Sequence, residues 1–223
     1  MKVKVMVKGY DTIDEIVKIL EETYNSKSSS IKDVSKEGDP FLVLISCLLS
    51  LRTKDEVTRE ASKRLFYLAK TPKTMSKLSI DQIQEAIYPV GFYKTKSERI
   101  KQICVDLIEK YDSKVPDNMD ELLELKGVGR KTANIVLTMG FNKLGVAVDT
   151  HVHRICNRLG YVCTKKPDDT ELELRKKLKK KYWITFNNLL VIHGKSICSP
   201  ISPKCSICPV FEYCNRIGVT HSR

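Results

Sequence analysis

The chain has 223 residues, 42% of them apolar, enough to bury a core in one large domain or two small ones. Its 39 Lys and Arg against 27 Asp and Glu leave a formal charge of +12, which suits a polyanion such as nucleic acid or an anionic membrane surface. No run approaches the roughly 18 apolar residues of a membrane span, and the opening MKVKVMVKGY lacks the apolar core of a signal peptide, so the sequence predicts an intracellular, cytoplasmic protein.

MKVKVMV alternates as a strand does, but with no second strand to pair it reads as an irregular or frayed N-terminus. Thr12-x-x-Glu15 then forms a capping box ahead of Ile13, Ile16, Val17 and Leu20, and Ser26 to Ser30 (SKSSS) marks a loop. Asp39-Pro40 opens the nearly all-apolar FLVLISCLL, the predicted central buried helix. Capping boxes at Thr53-x-x-Glu56, Ser79-x-x-Gln82 and Thr95-x-x-Glu98 predict further helix starts. Leu122, Leu123 and Leu125 end one amphipathic helix, and Ala133, Ile135, Val136 and Met139 line the next. Between Arg175 and Lys181 six of seven residues are Lys or Arg, on a predicted helix that buries Leu172, Leu174 and Leu178 and turns its basic side to solvent. Cys47, Cys104, Cys156 and Cys163 fall singly in apolar or helical surroundings and read as buried free thiols. With no linker, repeat or low-complexity tract, the architecture is all-α and closely packed.

Between the two helices that meet near residue 128 sits Lys126-Gly127-Val128-Gly129, followed by Arg130 and Lys131. Two glycines let the backbone turn tightly and bring bare N–H groups to an anion, and the next helix N-terminus adds partial positive charge. An ordinary helix connection explains the glycines alone equally well. The basic neighbours and the charge of the whole chain point instead to phosphate, held without regard to base sequence. Lys131 is then either a phosphate contact or a nucleophile. A lysine amine attacks only when neutral, a state that burial, Arg130 and the helix N-terminus favour. Asp149, just before Thr150, occupies a predicted N-cap, and the cap alone accounts for it.

Cys198, Cys205, Cys208 and Cys214 follow C-x6-C-x2-C-x5-C, a metal-ligand spacing. Four thiolates suit zinc or a 4Fe-4S cluster. With those sulfurs available, His151, His153 and His193 read as structural. Lys195 before the cysteines and Lys204 among them make a basic loop.

The string LKGVGRKTANIV resembles the helix-hairpin-helix of the endonuclease III family of DNA glycosylases, and the resemblance runs through most of the chain. VDTHVHRICNRLG and NLLVIHGKSIC match it downstream, while LLSLRTKD and VGFYKTKS look like its two DNA-wedging loops. The resemblance implies two packed helical domains, residues 33–143 ending in the hairpin, and residues 1–32 with 144–223 forming a discontinuous cluster domain, with the active-site cleft between. It places Lys131 and Asp149 at the catalytic positions and a 4Fe-4S cluster on the four cysteines. Lys126, Gly127, Val128, Gly129, Arg130 and Lys204 then hold DNA, and Arg52 and Phe92 enter the duplex where a base has left.

The implied reaction is bifunctional. The damaged nucleotide flips out, Lys131 attacks its sugar C1′ to give a Schiff base, Asp149 stabilises developing positive charge or assists proton movement, and β-elimination cuts the strand on the 3′ side. Related adenine glycosylases lack lysine at this position and cut weakly or not at all, so Lys131 argues for the lyase step. The expected activity is a DNA glycosylase/AP lyase of base excision repair, acting as a monomer on double-stranded DNA with an oxidised pyrimidine such as thymine glycol or an abasic site, and nucleoid-associated in a prokaryote. Arg52 departs from the glutamine common in bacterial enzymes, which bears on reading of the opposite base. Lys126 replaces a frequent proline and Lys195 a frequent arginine. The rival readings are a glycosylase of the same fold for mismatched or deaminated bases and a non-catalytic DNA-structure binder. An electron carrier fits poorly, since a single cluster offers no second redox centre.

Overall fold

The computed structural model of the chain describes residues 12–24 and 38–223. The MKVKVMV segment, the SKSSS loop and the expected domain boundary at residue 32 lie outside them. The described residues form helices and turns with no strand, the all-α fold expected. They divide into two compact units. One joins α1 (Ile13–Tyr24) to everything from Val146 to Arg223, and the other lies within Ser28–Gly145. This division falls between Gly145 and Val146, two residues beyond the boundary read from sequence.

The unit within Ser28–Gly145 is built around α2 (Pro40–Ser50). The Asp39 carboxylate accepts the N–H groups of Phe41 at 2.7 Å and Leu42 at 3.2 Å, and Pro40 supplies a pre-set first turn. Every residue from Phe41 to Leu49 is buried, so the helix is apolar all round and fits only inside a bundle. Each fully buried leucine or isoleucine there contributes about 1.5–3 kcal/mol. Around it pack α3 (Asp55–Leu68), α6 (Tyr93–Lys110) and α8 (Arg130–Ile135) with its π-helical continuation Val136–Gly140. The short α4 (Pro72–Met75) lies on α6, α5 (Ile80–Ile87) joins α3 to α6, and α7 (Met119–Glu124) packs on α8.

In the other unit, α9 (Thr150–Leu159) packs against α10 (Pro167–Lys177) and α11 (Phe186–Ser196), and α11 also meets α1. Ile16, Val17, Leu20, Val152, Ile155, Leu174, Phe186 and Leu190 form its core. No helix among the described residues is long and apolar enough to cross a membrane.

Several local expectations are corrected. Ser79 and Gln82 do form a capping box at α5, but Thr53-x-x-Glu56 does not cap α3, which starts behind Lys54. The Thr53 hydroxyl instead accepts the N–H of Gly91 at 3.2 Å, a tertiary contact no local pattern contains. Thr95-x-x-Glu98 lies inside α6, whose N-cap is Phe92. Leu172 is 48% exposed, because the neighbouring Glu171 takes the inward position. Glu171 pairs there with Arg175, whose guanidinium lies 5.4 Å from the Trp183 ring centre, so the basic run is not wholly a solvated face. Lys179 of the same run pairs with Asp14 on α1. Cys47, Cys104 and Cys156 are buried as expected, whereas Cys163 is exposed.

Candidate active site and DNA interface

The hairpin between α7 and α8 separates its two glycines by conformation. Gly127 has φ +90°, a left-handed value that only glycine adopts without cost, and an added Cβ would stand 3.1 Å from the Arg99 side chain. Gly129 is the N-cap of α8 with φ −101°, an ordinary extended value, and open space surrounds the position of its missing Cβ. Val128 braces the turn: its side chain is buried and its N–H donates to Leu125 O at 3.0 Å. Lys126, Gly127 and Gly129 are exposed at the tip, with Arg130 half-buried behind them.

Lys131 follows in the first turn of α8 and is half-buried. It lies close enough to α2 to act on Cys47, whose thiol burial pushes up to about 12 while the Lys131 charge opposes that rise. Lys131 thus combines a helix N-terminus, an exposed glycine turn and an apolar floor.

In the other unit, Asp149 is the N-cap of α9. Its Oδ1 accepts the N–H groups of His151 and Val152, each at 2.9 Å, which fixes the half-buried carboxylate in one orientation. Each of the three histidines has a polar partner: His151 Nδ1 lies 3.1 Å from the Arg154 guanidinium, His153 Nδ1 2.7 Å from the Thr170 hydroxyl and His193 Nδ1 3.0 Å from the Tyr24 hydroxyl. Burial, reinforced by the Arg154 charge, pulls His193 down to about 4 and keeps it neutral.

The two loops singled out as wedges adjoin each other. Arg52 and Phe92 are both exposed and both left-handed, with φ 54° and 59°, and the Arg52 guanidinium lies 5.1 Å from the Phe92 ring centre. Sequence reasoning missed what stands beneath them. Lys96 is 5% exposed, and its ammonium donates to Leu49 O at 2.8 Å, Leu51 O at 2.6 Å and Thr53 Oγ1 at 3.2 Å. A signal existed, since Lys96 occupies the same helical stripe as the buried Ile100, Ile103, Cys104 and Leu107. Arg64 supports the second loop from below, donating to Ala86 O at 2.8 Å and to Tyr88 O.

Cys198, Cys205, Cys208 and Cys214 line one small pocket with Arg158, His193 and Val210. Among the described residues no three His, Cys, Asp or Glu side chains are grouped to hold a single ion. Burial pushes Cys208 up to about 11 and Cys214 up as well, so thiolates there require a cationic centre beside them. N–H donors are in place for such thiolates: Arg158 Nη1 lies 3.3 Å from Cys198 Sγ and the Arg216 backbone nitrogen 3.4 Å from Cys214 Sγ. This donor set, four cysteine sulfurs with N–H donors beside them, fits a cluster that would be held by terminal thiolates. Arg158, missed in sequence, also donates to Ser199 O and Pro200 O at 2.7 Å and ties the cysteine loop to α9. Lys204 is exposed on that loop.

Comparison with known proteins places this geometry. Residues 45–180 match the HhH-GPD superfamily of base excision DNA repair proteins, and residues 198–214 match the iron-sulfur binding domain of endonuclease III. Endonuclease III of Thermotoga maritima is 50% identical over 179 residues, covering 80% of this chain and 84% of the relative. A solved non-covalent endonuclease III–DNA complex superposes with a TM-score of 0.83 at 30% identity, covering 93% of this chain and 95% of that one. An endonuclease III trapped as a covalent intermediate on DNA, in an estranged-adenine complex, gives the same score and identity over 93% and 96% of the two chains.

Proposed function

Because the chain belongs to the endonuclease III family of the HhH-GPD base excision DNA repair proteins, we propose that it excises oxidised pyrimidines of the thymine glycol type, with Lys131 as nucleophile. It is a DNA glycosylase with AP lyase activity, it carries a 4Fe-4S cluster and its partner is damaged DNA. We place it in the compartment that holds DNA, at the nucleoid in a prokaryote.

The observation that carries the assignment of Lys131 is its seat in the first turn of α8, directly behind an exposed glycine turn that can dock a phosphate. Lys126, the hairpin glycines and Arg130 hold the backbone and set register. The Lys131 amine forms a bond to C1′ as the bond to the base breaks, and the base leaves with a proton. Ring opening gives a Schiff base, and loss of a C2′ proton then breaks the C3′–O bond and cuts the strand. The Asp149 carboxylate, immobilised as the α9 cap, stabilises positive charge on the sugar in the first step. Cys198, Cys205, Cys208 and Cys214 would hold the cluster, whose chemistry at this site is thiolate ligation. The ligation orders the loop that presents Lys204 to a phosphate.

Borohydride trapping on a duplex with one thymine glycol tests the reading. A covalent protein–DNA adduct is expected with the wild type and none with Lys131→Gln, while the variant keeps most of its DNA affinity. Equal loss of adduct and affinity would make Lys131 a phosphate contact. An adduct at an abasic site but none at thymine glycol would keep the nucleophile and favour the reading in which Arg52, standing where glutamine is common, accompanies mismatched or deaminated bases.

A further inference from the structure

Lys96 is a cation placed where a methionine would pack. Taking an ammonium out of water costs several kcal/mol unless its donors are satisfied. All three N–H donors of an ammonium have an acceptor here: the carbonyls of Leu49 and Leu51 at the end of α2, and the Thr53 hydroxyl. Burial first, and the Arg99 charge second, pull the amine down to about 8.

The Thr53 hydroxyl extends the contact. It donates to Leu51 O at 3.2 Å and accepts from Lys96 and from the N–H of Gly91, which uses its one hydrogen and both lone pairs. One chain of bonds therefore runs from α6 through the Leu49–Thr53 turn into the turn that ends at Phe92. The two turns also touch directly, since a Cβ on Gly91 would lie 2.6 Å from Arg52 O.

Magnitudes show why such a tie is needed. Left-handed backbone costs a non-glycine residue about 1–2 kcal/mol, here at both Arg52 and Phe92. The exposed cation–π contact between them returns about 0.5–1 kcal/mol, too little to hold both turns. Strained residues persist where surrounding structure over-determines them.

We propose that Lys96 is a positioning residue for base extrusion: its buried ammonium ties the Leu49–Thr53 turn to the turn ending at Phe92, so that Arg52 and Phe92 enter the duplex as one unit. The proposal rests on the reading of Arg52 and Phe92 as the residues that fill the vacated stack.

The test uses the full-length, cluster-loaded protein. Extrusion is read from the fluorescence of 2-aminopurine opposite a thymine glycol, excision from single-turnover kinetics, and covalent chemistry from borohydride trapping at an abasic site inside an unpaired bubble, where no stack has to be filled. Lys96→Met should slow extrusion and excision on paired DNA by about tenfold, within the range that a mispositioned contact produces, while leaving bubble trapping within about twofold. Thr53→Val keeps Lys96 and its two carbonyls but breaks the link to Gly91, and should move the same readouts in the same direction by a smaller factor. Lys96→Arg should not rescue, because a planar guanidinium cannot meet three converging acceptors as an ammonium does. A double change Arg52→Ala and Phe92→Ala separates the two levels. If it leaves extrusion unchanged, the wedge reading itself fails. If it slows extrusion while Lys96→Met and Thr53→Val do not, Lys96 has no positioning role. Equal loss on duplex and bubble would also overturn the proposal, and if Lys96→Met does not fold, unchanged extrusion in Thr53→Val overturns it alone.

Discussion

Asp149 combines a structural task and a proposed chemical one, and single substitutions separate them. Asparagine caps a helix about as well as aspartate, so Asp149→Asn should keep both N–H contacts and melt close to wild type, whereas Asp149→Ala should lose about 1 kcal/mol. If the carboxylate charge assists at the sugar, Asp149→Asn should nonetheless cut single-turnover excision by about a hundredfold. Melting curves beside excision rates check this, and excision that merely follows stability through both variants would leave Asp149 a cap. Lys96 gives a second residue-scale prediction, with its sign fixed by linkage. Its folded pKa of about 8 lies below the ordinary 10.5, so between those values the unfolded chain binds more protons than the folded one. Stability measured by urea unfolding should therefore rise with pH across that window in the wild type relative to Lys96→Met. The opposite slope would mean that the buried site favours the charged amine.

At the scale of elements, the hairpin shows what a local pattern can and cannot say. Its two glycines are equivalent as letters, but only Gly127 needs a left-handed backbone. Gly127→Ala should cost about 1–2 kcal/mol and displace Arg99, lowering both melting temperature and DNA affinity. Gly129→Ala meets no neighbour and no forbidden φ, so the fold should accept it, while its methyl stands where a phosphate would approach the α8 N-terminus. Affinity should drop with melting unchanged, and a Gly129→Ala protein that binds normally would remove that end of the hairpin from the interface. The features legible in the sequence are those whose cause is local: the Asp39 and Asp149 caps, the Ser79 box and the all-round apolar α2. Thr53 was misread because its hydroxyl has a better partner in Gly91, far along the chain. Leu172 was misread because helical period cannot anticipate a carboxylate buried by Arg175. The pairing of Arg52 with Phe92 depends on two turns 40 residues apart in number, which only the packing of α6 on α2 brings together.

At the scale of the molecule, the +12 charge and the cluster loop make one argument. Between Cys198 and Cys214 the chain has only two short 3-10 turns, and its buried side chains are just Pro203 and Val210. So small a core cannot offset the entropy of ordering the segment, at about 1–2 kcal/mol per residue. Arg158 supplies hydrogen bonds at one end, backbone bonds such as Lys204 N–H to Ile197 O and Ser206 N–H to Arg223 O add a few more, and metal ligation supplies the largest remaining contribution, since a bound cluster's free energy is folding free energy. Cys205→Ser should therefore abolish the visible absorbance of the cluster and expose amides from 198 to 214 to rapid hydrogen exchange. Loss of protection should spread to α9 and α11, which meet the loop through Arg158 and His193, while α2 through α8 keep their protection. DNA affinity should fall together with its dependence on salt, by about one counterion for each phosphate contact that Lys195 and Lys204 no longer make. Protection lost evenly in both units would make the cluster a support for the whole fold. Undiminished protection with an unchanged salt slope would mean that the loop orders itself without iron, and that the basic surface facing DNA is set by the hairpin alone.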